Sequence, residues 1–102
     1  MIPTTQQSQE AAPHPGVQVR DAIAALELSV TSAARRAGIS RVRLYDIIRG
    51  DAPVTAEIAL RIGRLTRTDP AAWMALQARY DLARLARDLA GELAAIPMPA
   101  AP

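Results

Sequence analysis

Arg41, Arg43 and Arg49, with Ser40, Val42 and Tyr45 before and between them, form the densest group of recognition-competent side chains in this sequence. A guanidinium donates two parallel hydrogen bonds from one rigid fork, which suits guanine O6 and N7 as well as phosphate oxygens. A serine hydroxyl, and the N–H groups left over at a helix start, suit phosphate oxygens. Tyr45 suits a phosphate or the face of a thymine methyl. Asp46 sits among them, and an ion pair with Arg43 or Arg49 is the expected role for it rather than a base contact. Arg35 and Arg36 come one helix earlier and are expected to face a nucleic-acid backbone rather than base edges. The competing reading is that these arginines merely solvate a helix surface while Tyr45 packs partly into the core.

Charge placement favours an anionic partner for the middle of the chain. The net charge is only +2, but residues 35–67 hold eight arginines against three acids, a net of +5, and the remainder nets −3. Asymmetry of this kind is an electrostatic footprint. Every basic residue is arginine. Cysteine is absent, which removes thiol nucleophiles, disulfides and thiolate metal sites. The single histidine, His14, cannot build a zinc site unaided. Asp46 and Asp51 form no evident acid–base pair, so an enzyme is not expected, nor a cofactor. With no basic-then-apolar leader and no apolar run near the roughly 18 residues of a membrane span, a cytoplasmic protein without membrane contact is expected.

The elements that must position these residues are helical. Half the sequence is hydrophobic, with 3% aromatics and no Phe, so the core must be built from Ile, Leu, Val and abundant Ala. An all-α domain follows, and the punctuation divides it into five helices. Pro15-Gly16 opens the first, through about Glu27, with Val19, Ile23 and Leu26 on its buried face. Ser29 caps a second from Val30 to Ala37, ended by Gly38; Ser40 caps a third through Arg49, ended by Gly50. Thr55 caps a fourth whose buried stripe is Ile58, Ile62 and Leu65. Asp69 and Pro70 start a fifth that runs to about Ala95, before Pro97 and Pro99. Ala34 falls where two helices cross, and Ala33, Ala37, Ile39, Leu44 and Ile47 point inward. That leaves the start of the third helix facing out, which is the bihelical unit that reads DNA grooves.

The ends divide differently. Residues 1–13 have little to bury and read as a flexible tail. Residues 14–82 form the domain, closed by Trp73, Leu76 and Tyr80. Residues 83–96 extend the fifth helix, and 97–102 are a proline-rich tail. Leu82, Leu85, Leu89 and Leu93, continued by Ile96, recur in steps of three and four and form a stripe beyond what the domain needs. The stripe is expected to meet a second subunit or another protein, unless the helix folds back on its own core.

His14-Pro15-Gly16, the run Leu28–Gly50, Val54–Leu65, and above all Thr68–Leu82 with Pro70, Trp73, Leu76, Gln77, Tyr80 and Asp81 resemble HigA-type antitoxins, within the Xre-like, lambda-repressor-like helix-turn-helix proteins. The resemblance spans about His14 to Leu82, and departs from the family at Val17 and Ala33. It implies a five-helix lambda-repressor-like domain with an extended C-terminal helix. It further implies a type II antitoxin that silences a RelE/HigB-like mRNA endonuclease and represses its own operon as a homodimer on operator DNA. A stand-alone repressor without a toxin, or an adaptor that no longer reads DNA, fits the same residues.

Overall fold

Side chains that accept a hydrogen bond from an orphan N–H set four helix starts. Ser29 Oγ accepts from Ser32 N–H at 3.0 Å, Ser40 Oγ from Arg43 N–H at 3.1 Å, Thr55 Oγ1 from Ile58 N–H at 3.3 Å and Asp69 Oδ1 from Ala71 N–H at 3.0 Å. The computed structural model describes residues 12–100 and contains α1 (Gly16–Ala25), α2 (Val30–Ala37), α3 (Arg41–Arg49), α4 (Ala56–Thr66), α5 (Pro70–Asp88) and α6 (Ala90–Ala94), with no strand among the described residues. The expected N-terminal tail falls chiefly on residues 1–11, outside the described residues. None of these helices is long and apolar enough to cross a membrane.

The core lies where α1, α2, α3 and α4 meet. Val19 and Ile23 of α1, Leu44 and Ile47 of α3, Ile58 and Ile62 of α4, and Val54 before α4 are almost wholly buried. Ala33 and Ala34 are buried on α2, and their small side chains let α3 and α4 both pack on that helix. Trp73 closes the core from α5, with Leu76 half-buried beside it. Its Nε1–H donates to Thr68 Oγ1 at 2.7 Å. Thr66 Oγ1 donates to the Ile62 carbonyl at 2.7 Å, so Thr68 must be the donor in the 2.8 Å contact between the two threonines. That chain of hydroxyls ties the start of α5 to the end of α4.

Two helix boundaries differ from expectation. The first helix stops at Ala25 rather than about Glu27, because Glu27 adopts a left-handed φ of 59° and turns the chain. Leu26 is therefore a cap residue, 42% exposed, and not part of the buried face of α1. The fifth helix is likewise interrupted at Leu89, where φ −103° and ψ 13° leave helical values, so α6 is a separate short helix. Gly91 lies just beyond, a residue that weakens a helix and around which a Cβ would find open space.

Candidate nucleic-acid interface

The turn between α2 and α3 decides where the arginines point. Gly38 caps α2 with φ +71°, a left-handed conformation that side chains with a Cβ resist. An added Cβ would also lie 2.6 Å from Arg61 Nη1, so that guanidinium would have to move. That guanidinium reaches across from α4, donates to the Ala37 carbonyl at 3.0 Å, and is held by Glu57 through Nε at 3.0 Å. A cation on the last carbonyls of α2 opposes the negative end of the helix dipole. Arg61 thus braces the turn from a helix 24 residues away, a role no local pattern announces.

With the turn fixed, α3 divides into two faces. Leu44 and Ile47 are fully buried, while Arg41, Val42, Arg43, Tyr45 and Arg49 are exposed. At about 100° of rotation per residue, Val42 and Arg49 lie near the centre of the outward face, Tyr45 beside them, and Arg41 and Arg43 on the flanks. Val42 is 69% exposed at the centre of that face, where an aliphatic side chain is available for an apolar contact. Tyr45, at 37%, is partly covered and lies outside the buried core, with the rest of its ring on the outward face. Ser40 uses an oxygen lone pair as cap, which leaves its O–H at the helix start as a donor.

The arginines are unequal. Arg49 Nη2 meets Asp46 Oδ1 at 2.5 Å and its Nε reaches Asp51 Oδ2 at 3.5 Å, as expected for Asp46. Among the described residues, Arg35, Arg36, Arg41 and Arg43 have no ion pair. Arg35 and Arg36 are exposed in the last turn of α2. The face therefore carries one acid, neutralised by its own neighbour, and several uncommitted guanidinium forks. No group of metal-ligating residues occurs among the described residues.

On α5 and α6, Leu82 is 70% exposed, Leu85 40%, Leu89 37% and Leu93 47%, so the stripe does not fold onto the core. Gln77, the one buried polar residue among the described residues, was not anticipated as a structural link. Its Oε1 accepts from Val54 N–H at 2.8 Å and its Nε2 donates to Asp81 at 3.1 Å.

The helix-turn-helix family HTH_3 matches residues 19–73, the span from α1 to the first turn of α5. The chain is 33% identical over 82 residues to Virulence-associated protein A' of Dichelobacter nodosus, covering 79% of this chain and 71% of that protein. Its fold is similar to Pseudomonas aeruginosa antitoxin HigA, solved with the higBA promoter, at a TM-score of 0.80 and 28% identity over 88% of this chain and 99% of that one. An addiction module antidote protein of the HigA family from Coxiella burnetii is similar at a TM-score of 0.79 and 26% identity, over 87% and 98% of the two chains. The family match and these likenesses agree: the chain belongs to the helix-turn-helix family, among its HigA-type antitoxins.

Proposed function

We propose that this antitoxin represses its own promoter by placing α3 in the major groove, and that it neutralises a RelE/HigB-like toxin. The observation that carries the DNA half is the outward face of α3. Val42 stands exposed at its centre, uncommitted Arg41 and Arg43 flank it, and the sole acid is tied to Arg49. Arg41 and Arg43 take base edges, Val42 and Tyr45 thymine methyls or sugar, and Ser40 a phosphate. Arg35 and Arg36 take the backbone, and Arg49 joins once it leaves Asp46.

The HigA structure with promoter DNA supports the same use of this fold. Leu82, Leu85, Leu89 and Leu93 supply the contact to a second subunit or to the toxin. The second subunit has first claim, because a pair of α3 helices about 34 Å apart matches two successive major grooves on a palindromic site. The test is titration of the full chain with its native upstream DNA, followed residue by residue. Shifts clustered at Ser40–Arg49 and affinity falling steeply with salt are expected. Equal affinity for scrambled DNA, or an unperturbed α3, overturns the proposal.

A further inference from the structure

Helix α3 packs on α1 and α2, whereas α5 packs on α4, and the two do not pack on each other. What joins them is a small set of side chains. His14 Nδ1 accepts a hydrogen bond from Gly16 N–H at 2.9 Å, which fixes the ring just ahead of α1. One edge of that ring meets Tyr80 of α5, centroids 4.9 Å apart and planes at 76°. Gly50, the C-cap of α3, lines the same cleft as the ring, and a Cβ added there would come within 3.7 Å of it. One turn earlier on α5, Gln77 holds the Val54 N–H in the segment after α3. His14 thus stands between the end of α3 and the middle of α5, in a cleft of about 440 Å³ that it shares with Asp51, Gln77, Tyr80 and Arg84.

We propose that His14 is a positioning residue that sets α3 relative to α5, and through it the separation of the two reading helices in the DNA-bound dimer. The proposal rests on the reading of α5 as the dimer helix. If the partner subunit is fixed at the leucine stripe, any rotation between α3 and α5 is carried across the whole assembly. Over roughly 34 Å between reading helices, a rotation of about 5° moves one of them by about 3 Å, close to the rise of one base pair. His14 bears on that angle while touching none of the residues that face DNA, so its effect belongs to operator spacing and not to base contacts. The ring is an apt wedge: two flat faces and one acceptor, held by a backbone N–H on one side and an aromatic edge on the other.

The test compares the full-length chain with His14→Ala and Tyr80→Ala on three kinds of DNA. These are the native operator, versions with one base pair added or removed between half-sites, and a single half-site. The unaltered chain should prefer native spacing by about tenfold or more, the size of a lost base-pair match. Both variants should reduce that preference to about threefold or less while keeping half-site affinity, a pattern that general loss of stability does not produce. Preserved spacing preference in His14→Ala, or weakening that is equal on all DNAs including the half-site, overturns the inference alone. An unaltered chain indifferent to spacing overturns the dimeric reading and the inference with it.

Discussion

Arg49 must surrender Asp46 and Asp51 before it can reach a base, whereas Arg41 and Arg43 have no ion pair among the described residues to give up. An exposed pair is worth at most about 1 kcal/mol, so the toll is small per contact but falls on Arg49 only. Arg41→Ala and Arg43→Ala should each weaken operator binding by about 1–3 kcal/mol if they fork onto guanine, with little change on unrelated sequences. Arg49→Ala should cost distinctly less, and Asp46→Asn should tighten binding by freeing Arg49 and removing an anion from the face. Titrations of the four variants on operator and scrambled DNA check the order. Equal losses on both DNAs would assign Arg41 and Arg43 to phosphates instead. The arginines of α3 are legible in the sequence because a helix face is a local repeat. Arg61 at the Ala37 carbonyl, Gln77 at the Val54 N–H and His14 at Tyr80 are not, since each pairs residues far apart in the chain with no period connecting them.

Helices begin and end here by local chemistry, which is why Ser29, Ser40, Thr55, Asp69, Gly38 and Gly50 all sit where the sequence places them. Where a boundary depends on a left-handed non-glycine residue, as at Glu27, the periodic pattern runs past it and Leu26 is misassigned to the core. Packing between helices is also beyond the pattern. Gly16 opens α1 directly against the end of α3, where an added Cβ would stand 2.1 Å from the Ile47 carbonyl oxygen and 2.7 Å from that of Ile48. Backbone meets backbone there, so no side chain can rotate aside. Gly16→Ala must push α1 off α3 or distort its first turn, at a cost of about 1–3 kcal/mol, the usual range for overpacking. For a domain of this size that lowers the thermal midpoint by roughly 4–8 °C per kcal/mol. Calorimetry reads it directly, and a midpoint within about 2 °C of the unaltered chain would show that α1 shifts without loss.

The molecule as a whole separates two surfaces that the charge map alone only hints at: an exposed basic face in the middle and a leucine stripe at the end. Every buried residue among those described lies between Pro15 and Gln77, so truncation after Leu82 removes no buried residue. Residues 83–96 also hold two arginines and two acids, so the cut leaves net charge unchanged. The truncated chain should therefore fold, bind one half-site about as well as before, and fail to form the dimer. Salt then separates assembly from contact. The slope of log affinity against log salt is about −0.9 for each phosphate neutralised on duplex DNA. A dimer neutralises the phosphates of both half-sites in one event, and a monomer those of one, so the slope on the full operator should fall to about half after truncation. Light scattering would report the loss of the dimer independently. A truncated chain that remains dimeric and keeps the full slope would move the subunit contact away from Leu85, Leu89 and Leu93, and leave that part of the stripe to the toxin.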